Sequence, residues 1–300
     1  MKQGIGISHA KVIFMGEHSV VYHQLAIALP FKALTCQVTI LPSSHNTMKS
    51  DLYTGELKDA PKLLYPIIHL FNTLQAHFNL SQLELTIQSS IPFSAGLGSS
   101  AALASAMTKA FYDYTQTSLD DHTLFNWVQQ AETIAHGNPS GIDALTTSFD
   151  HAWVYTKGSA PQPLTISLPA SLIIAQSPQS GSTKEAVEKV ANYVHSHGLH
   201  LIETLGALTK HAQTCIQNQD VSTLGSLMNQ AHDILKELNV STPTLDHYID
   251  IARSHHALGA KLTGGGLGGC MIALAEDQHV LSIVDALKQK TPYVWSINLQ

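Results

Sequence analysis

Residues 92–102 read Pro-Phe-Ser-Ala-Gly-Leu-Gly-Ser-Ser-Ala-Ala, a glycine-rich turn that runs straight into a helical pattern over residues 99–114. Gly96 and Gly98 let backbone amides approach an anion closely. The helix start adds unpaired N–H donors and the positive end of the helix dipole, and the two serines add hydroxyls. A plain helix N-cap explains a serine, but neither both glycines nor the small residues that follow. The segment therefore predicts a phosphate-binding turn.

Two common nucleotide-binding motifs do not account for this turn. Gly96–Ala101 formally matches the dinucleotide fingerprint G-x-G-x-x-A. That fingerprint follows its strand directly and leads, about twenty residues on, to an acidic residue at the end of a second strand. Here residues 91–95 separate strand from turn, and residue 116 still ends a helical pattern. A Walker A loop is absent too, because no Gly-Lys-Ser or Gly-Lys-Thr follows the glycines.

Residues 131–143, Ala-Glu-Thr-Ile-Ala-His-Gly-Asn-Pro-Ser-Gly-Ile-Asp, combine two carboxylates with a tight turn. Glu132 lies near the predicted end of a helix, and Asp143 follows the turn, which places side chains rigidly. One such carboxylate can ligate Mg²⁺ and another can accept a hydroxyl proton. We assign His136 to the helix end, because no third metal ligand is apparent in the sequence.

Two further segments are unusual for plain core strands. Lys11 opens an apolar strand that leads into Gly-Glu-His at residues 16–18. Residues 264–269 hold five glycines in six positions and are followed at once by an apolar strand. Such a glycine cluster indicates a close approach of backbone to another backbone or to a ligand.

The cations restrict how a phosphate could be bound. The chain has 300 residues, a net charge of −6 and only 13% charged residues, which argues against nucleic acid or an anionic membrane as a partner. Arg253 is the only arginine among 16 basic residues. A phosphate site must therefore rely on backbone amides, lysine and metal rather than on paired arginines.

Three unclustered cysteines form neither a disulfide framework nor a zinc motif, which favours a reducing compartment. The first twenty residues lack the apolar core of a signal peptide, and no segment has the length of a membrane span. We therefore expect a cytoplasmic protein.

Helical patterns lie at about residues 99–114, 120–134, 184–196, 199–217, 220–237, 242–256 and 278–290. Strand patterns lie at residues 11–14, 33–41, 83–88, 153–156, 172–175, 270–274 and 293–298. Because both kinds are mixed in both halves of the chain, we predict an α+β or α/β protein with two lobes. Residues 157–169, rich in proline and glycine, are the best candidate for an interdomain linker. We accordingly predict one domain over residues 1–165, with the ATP and catalytic motifs, and a second over residues 166–300.

Together, in this order, the four segments resemble the GHMP kinase superfamily, from Lys11 to Cys270. Its second motif, P-x-x-x-G-L-G-S-S-A-A, matches at every fixed position. The resemblance implies an α+β fold of two lobes, an N-terminal domain like ribosomal protein S5 and a C-terminal ferredoxin-like domain. It also implies transfer of a phosphoryl group from ATP to an alcohol.

The resemblance implies roles for single residues. Asp143 would be the catalytic base or orienting carboxylate, with Lys11 beside it, and Glu132 and Ser100 would hold Mg²⁺, although Ser99 remains an alternative to Ser100. Glu17, His18 and Gly265 would contact the substrate. The residues that would cradle the ATP phosphates are Pro92, Ala95, Gly96, Leu97, Gly98, Ser99, Ser100, Ala101 and Ala102.

The form of the motifs around residues 11–21 and 131–143 is similar to that of the members that act on mevalonate, and it implies phosphorylation of the C5 hydroxyl in isoprenoid biosynthesis. A single arginine also suits mevalonate better than a substrate with an additional phosphate. Phosphomevalonate, a galactose-type sugar and homoserine remain alternative substrates, and a non-catalytic binding protein is a further alternative. The resemblance is compatible with a homodimer.

Overall fold

The computed structural model describes residues 2–93, 95–137 and 139–300, so that Ser94 of the glycine-rich segment and Asn138 of the 131–143 segment lie outside it. Within these residues the strands are β1 (Gly4–Met15), β2 (Leu25–Pro42), β3 (Thr47–Lys49), β4 (Thr54–Glu56), β5 (Leu83–Ser89), β6 (Ala152–Thr156), β7 (Gln162–Leu164), β8 (Ser171–Gln176), β9 (Gly259–Thr263), β10 (Cys270–Ala275) and β11 (Val294–Asn298). The helices are α1 (Tyr65–His77), α2 (Ser99–Thr115), α3 (Asp121–His136), α4 (Ile142–Ser148), α5 (Thr183–His197), α6 (His200–Gln217), α7 (Val221–Glu237), α8 (Pro243–Ser254) and α9 (Asp277–Lys288). The predicted α+β class is confirmed.

The chain forms two compact units, each discontinuous in sequence. Unit 1 takes the residues up to Lys11, Leu34–Phe93 and Gly98–Asp150. Unit 2 takes Val12–Ala33, the short stretch that ends at Leu97, and His151–Gln300. The domain boundary between residues 165 and 166, which cuts the chain once, stays a prediction.

Unit 1 contains four helices that pack on one another, α1 to α4, and a sheet in which the strands follow the order β4-β3-β5-β2. Strand β5 pairs antiparallel with β2, from Cys36 opposite Ser89 to Pro42 opposite Leu83. Along this part of β2, alternate side chains from Leu34 to Ile40 are buried, as expected for a sheet with one face on the core. The core includes an edge-to-face contact between Phe71 and Phe111.

The start of β1 packs directly against α2 through two glycines. A Cβ atom at Gly4 would lie 2.2 Å from the carbonyl oxygen of Ala110, and one at Gly6 would lie 2.0 Å from that of Ala106. The backbones touch because no side chain separates them. This close contact anchors the strand whose next residues include Lys11.

Unit 2 contains a second, antiparallel sheet in the order β11-β8-β10-β9. Every residue of β9 and β10 is buried, and β8 is buried up to its last residue, so these strands show no alternation. Helices α5 to α9 also belong to this unit, and three of them begin with a side-chain cap, at Ser182, Asp220 and Thr242. The N-terminal residues of β2, Leu25–Ala28, pair with β6 here.

The predicted elements are present, but several were missed. The structure adds α1, α4, β3, β4 and β9, and it places the short strand β7 inside the predicted linker. Among the described residues, no helix is both long enough and apolar enough to span a bilayer.

Candidate active site

In unit 1 a buried lysine lies beside a half-exposed aspartate. The Nζ atom of Lys11 lies 3.0 Å from Oδ1 of Asp143, and the lysine side chain is 6% exposed while the aspartate is 34% exposed. Asp143 is held in the first turn of α4, after Gly141, whose φ of 89° is left-handed. The sequence predicted both residues for catalysis, and the structure brings them together.

Gly98 holds the beginning of α2 against Lys11. Its φ is +74°, and a Cβ atom there would lie 2.7 Å from Cγ of Lys11 and 3.2 Å from Cγ2 of Thr147. Glycine therefore meets two requirements at once, a left-handed backbone and space for the lysine. The first amides of α2 start at this point, and Gly98 accepts a hydrogen bond from the amide of Ala102 at 2.9 Å.

Glu132, near the end of α3, is a buried carboxylate with an unused oxygen. Its side chain is 4% exposed, and Oε1 has no hydrogen-bond partner among the described residues. Burial raises the pKa of Glu132, the charge of Asp143 raises it further, and a hydrogen bond from Ser100 opposes the rise. A buried oxygen without a partner, next to a hydroxyl, fits a hard cation such as Mg²⁺.

The remaining residues of the glycine-rich turn divide between the two units. Pro92 and residues 98–102 belong to unit 1, where Ala101 and Ala102 are fully buried. Ala95, Gly96 and Leu97 belong to unit 2. There a Cβ atom at Gly264 would lie 3.5 Å from the carbonyl oxygen of Gly96, and one at Gly269 would lie 3.0 Å from that of Ala95. The glycine cluster thus supports this turn through backbone contacts, as the sequence indicated.

The Gly16-Glu17-His18 turn is buried in unit 2. Lys261 donates a hydrogen bond from Nζ to Oε1 of Glu17, and both side chains are at most 1% exposed. The Nε2 atom of His18 lies 2.9 Å from the carbonyl oxygen of Gly265. Burial lowers the pKa of His18 to about 4, against the opposing effect of the Gly265 hydrogen bond, and the charge of Lys261 lowers it further. Three residues predicted for substrate binding are thus close together, with Lys261 added.

Two residues that contact predicted site residues, Lys261 in unit 2 and Thr147 in unit 1, were not themselves predicted from the sequence. Lys261 stands in a fully buried strand, and a lysine in an otherwise apolar run was the available signal. Thr147 orders α4, since its Oγ1 donates to the carbonyl of Asp143 at 2.9 Å and its own carbonyl accepts from Ser8 and Ser105. No feature of the sequence distinguishes Thr147 from its neighbours.

This arrangement can support phosphoryl transfer to a hydroxyl group. A carboxylate next to a lysine can orient a hydroxyl and accept its proton, while the lysine cation stabilises developing negative charge. Helix amides and a buried carboxylate with a free oxygen suit phosphates and their metal. Such a reaction demands mainly alignment and charge neutralisation.

Comparison with known proteins supports this chemistry. A family model described as the N-terminal domain of GHMP kinases matches residues 65–150, and one described as the C-terminal domain matches residues 212–292. The mevalonate kinase of Pyrococcus horikoshii is 33% identical over 301 residues, covering 92% of this chain and 89% of that protein. That of Pyrococcus furiosus is 30% identical and covers 98% and 96%.

Solved structures agree over nearly the whole chain. Mevalonate kinase from methicillin-resistant Staphylococcus aureus MRSA252 is 33% identical, with a TM-score of 0.76 and coverage of 100% of this chain and 99% of that one. The L. major mevalonate kinase in complex with R-mevalonate has a TM-score of 0.84 at 24% identity, covering 99% and 96%, which supports the fold alone. The chain belongs to the GHMP kinases and has their α+β fold of N- and C-terminal domains and their use of ATP.

Proposed function

We propose that this chain transfers the γ-phosphoryl group of ATP to the C5 hydroxyl of mevalonate, giving 5-phosphomevalonate and ADP. The observation that carries the chemistry is the contact of 3.0 Å between Nζ of Lys11 and Oδ1 of Asp143. The choice of mevalonate is supported by the relatives, which are named mevalonate kinases and match about nine-tenths of the chain or more.

Asp143 orients the C5 hydroxyl and takes its proton as the oxygen attacks the γ-phosphorus in line with the leaving ADP. Lys11 offsets the negative charge that develops on the hydroxyl and the transferring phosphoryl group. Both side chains are held in advance, the lysine by burial and the aspartate by the first turn of α4. Little reorganisation is therefore needed during the reaction.

The β- and γ-phosphates of ATP lie against the amides at the beginning of α2, with Pro92 and residues 95–102 forming the cradle. Glu132 and Ser100 would hold Mg²⁺, and the unused Oε1 of Glu132 is the observation that supports this assignment. Such an ion, when bound, would neutralise phosphate charge. His18 and Gly265 contact the substrate. A cytoplasmic location and a homodimer also remain predictions.

An assay of ADP release tests the substrate assignment. We expect turnover that depends on mevalonate, and little with phosphomevalonate, galactose or homoserine. Turnover of one of those three without turnover of mevalonate would reject the substrate while keeping the chemistry. No turnover with any alcohol, despite binding of ATP, would support a non-catalytic binding protein.

The role of Asp143 is tested by Asp143→Ala, which we expect to lower kcat by at least about 100-fold, the contribution of a positioned general base. Binding of Mg-ATP, measured by calorimetry, should largely survive, because the phosphate cradle does not include Asp143. Asp121→Ala is the matched control, since Asp121 is an exposed aspartate in the first turn of α3. Near-normal turnover of Asp143→Ala would contradict the assignment.

A further inference from the structure

Three elements of unit 1 meet at Thr147, a fully buried residue in the last turn of α4. Its carbonyl oxygen accepts hydrogen bonds from Oγ of Ser8 on β1 at 2.6 Å and from Oγ of Ser105 on α2 at 3.3 Å. Its own Oγ1 donates to the carbonyl of Asp143 at 2.9 Å. One threonine thus connects the strand that carries Lys11, the helix that begins at the glycine-rich turn, and the helix that carries Asp143.

Helix α4 depends on contacts of this kind because it has only seven residues. A helix of two turns is not stable by itself, so its position is set by what it packs against. The carbonyls of its last turn also lack partners within the helix. That of Thr147 is satisfied by the two serine hydroxyls, and Nζ of Lys109 on α2 donates to that of Ser148 at 3.5 Å. The C-terminal end of α4 is therefore fixed to β1 and α2.

The methyl group of Thr147 reaches the beginning of α2. Its Cγ2 would lie 3.2 Å from a Cβ atom added at Gly98. The same added atom would lie 2.7 Å from Cγ and 3.3 Å from Cε of Lys11, so the methyl group and the lysine side chain line one small space beside Gly98. Thr147 therefore neighbours both Lys11 and Asp143.

The hydroxyl of Thr147 bears on the orientation of Asp143. A threonine hydroxyl that donates to the carbonyl four residues earlier changes the bend of a helix. In α4 that carbonyl belongs to Asp143, so the bond orients the peptide unit next to the aspartate. A change of bend in so short a helix displaces Oδ1 of Asp143 from Nζ of Lys11, now 3.0 Å away. A displacement of about 1 Å at a reacting group can lower the rate by about 100-fold.

We propose that Thr147 is a positioning residue for phosphoryl transfer. Its hydroxyl holds Asp143 beside Lys11, and the hydroxyls of Ser8 and Ser105 hold its carbonyl. This inference rests on the proposed function. Because Thr147 is fully buried, it acts through Asp143 and not by touching a substrate.

Two substitutions separate the hydrogen bond from packing. Thr147→Val keeps the volume and removes the hydroxyl, whereas Thr147→Ser keeps the hydroxyl and removes a buried methyl group. If Thr147 only filled space, serine would be the more harmful change, because it leaves a cavity. We expect the opposite order in ADP release, with kcat about tenfold lower in Thr147→Val, the equivalent of one hydrogen bond, and less than about threefold lower in Thr147→Ser. An equal or larger fall in Thr147→Ser would overturn the role of the hydroxyl.

Thr108→Val is the matched control. Thr108 is also fully buried in unit 1, and its Oγ1 donates to the carbonyl of Ala104 on α2 at 2.9 Å. This variant loses an equivalent bond away from Asp143, so its kcat should stay within about twofold. KM for ATP should stay within about twofold in both valine variants, because the phosphate cradle is intact. If Thr108→Val lowers kcat as far as Thr147→Val does, the loss reflects general loosening and the proposal is wrong.

The same substitution in an enzyme that lacks the aspartate distinguishes positioning from a structural role. If Thr147 acts through Asp143, Thr147→Val should lower the residual turnover of Asp143→Ala by less than about twofold, measured in single turnovers with excess enzyme. A merely structural role would lower that residual turnover by about tenfold, as in the unmodified enzyme. A further loss of that size would refute the positioning role.

The hydrogen bonds to the Thr147 carbonyl are tested by Ser8→Ala/Ser105→Ala. This double variant leaves a buried carbonyl at the end of α4 without its two donors, so both Tm and kcat should fall, kcat by about tenfold. Adding Asp143→Ala should again leave little further loss in turnover, although the fall in Tm persists. A fall in Tm with unchanged kcat would limit the two serines to stability and remove them from the proposal.

Failure of this inference and failure of the proposed function give different results. If the unmodified enzyme turns over an alcohol and the losses from Thr147→Val and Asp143→Ala simply add, the positioning role is refuted and the proposed function stands. If the unmodified enzyme turns over no alcohol, the proposed function fails. Amide hydrogen exchange needs no substrate, and in α4 it should be faster in Thr147→Val and unchanged in Thr108→Val. Unchanged exchange in Thr147→Val would show that the hydroxyl does not hold α4.

Discussion

Gly98 is a position where both the backbone and a neighbouring side chain exclude a Cβ atom. With φ at +74° and Cγ of Lys11 only 2.7 Å from the added carbon, Gly98→Ala must displace the lysine or the beginning of α2. A displacement of about 1 Å at a reacting group can lower the rate by about 100-fold. We expect a loss of kcat of that order, measured by ADP release.

The control for Gly98→Ala is Gly158→Ala. Gly158 has a similar φ of +87°, but an added Cβ atom meets nothing within 4 Å. It should cost only the backbone strain of about 1 kcal/mol in the free energy of unfolding, with kcat unchanged. Equal effects of the two substitutions on kcat would show that the contact with Lys11 is unimportant.

We expect Glu132 to lower the stability of the fold at neutral pH, although its carboxylate is needed for turnover. Burial raises its pKa in the folded protein, so the folded state holds the proton more tightly than the unfolded chain does. This proton stabilises the fold at low pH, and the advantage is lost as pH rises through the folded-state pKa. At neutral pH without Mg²⁺, Glu132→Gln should therefore raise the free energy of unfolding, by about 1 kcal/mol.

The same substitution should lower Mg-dependent turnover strongly, because it removes the carboxylate that we assign to the metal. Denaturant unfolding at about pH 5 and pH 8 checks the sign, since the gain from Glu132→Gln should be larger at the higher pH. A substitution that lowered stability at both pH values would contradict the explanation. Ser100→Ala is the comparison variant, because it removes the hydroxyl partner of Glu132 and keeps the carboxylate.

At the level of elements, the contact between β1 and α2 depends on glycines spaced two apart. Gly6→Ala would place Cβ 2.0 Å from the carbonyl oxygen of Ala106, so the strand must move away from the helix. We expect a loss of about 3 kcal/mol in the free energy of unfolding, at the upper end for overpacking. Ile7→Ala, on the neighbouring residue at 52% exposure, should cost less than about 1 kcal/mol. Similar losses would show that the close approach is not limiting.

The elements that sequence predicted well are those with a clear period or cap. Helices α2, α3 and α5 to α8 were placed to within a few residues, because amphipathic patterns and capping residues mark them. Strand β9 was missed, since it is short and Lys261 and Thr263 interrupt its apolar run, although every residue is buried. The first residues of β1 were missed because their glycines report packing against α2, which only the fold reveals.

For the site, too, the sequence predicted some features and missed others. Lys11, Glu132 and Asp143 were candidates because they are polar residues in apolar or glycine-rich segments, and the family resemblance implied their roles. The pairing of Glu17 with Lys261 could not be predicted, because 244 residues separate them and either charge alone is compatible with a surface position. The partner of Glu17 therefore became visible only in the folded structure.

For the molecule as a whole, the scarcity of arginine bears on how a phosphoryl group is stabilised. The two alternatives are an arginine finger, or lysine together with helix amides and a metal. A single arginine in 300 residues is the only side chain that could act as an arginine finger. In the structure, Nε of Arg253 donates to Oδ1 of Asn229 at 2.7 Å, and Nη2 of Arg253 donates to the carbonyl of Ala260 at 3.0 Å. These contacts tie α8 to α7 and β9 and give the guanidinium a structural role in unit 2.

Arg253→Lys tests this structural role, because lysine keeps the charge but cannot reach both acceptors with one planar group. We expect a loss of about 1–2 kcal/mol in the free energy of unfolding, since a hydrogen bond from a charged donor is removed. Well below the melting temperature, kcat should change by less than about twofold, whereas loss of an arginine finger lowers kcat by about 10³–10⁵. A fall of that size, with the folded fraction intact by circular dichroism, would place the arginine in the reaction. If Arg253→Lys keeps its kcat and has a lower Tm, the phosphates are neutralised by Lys11, the helix amides and the metal that Glu132 would hold.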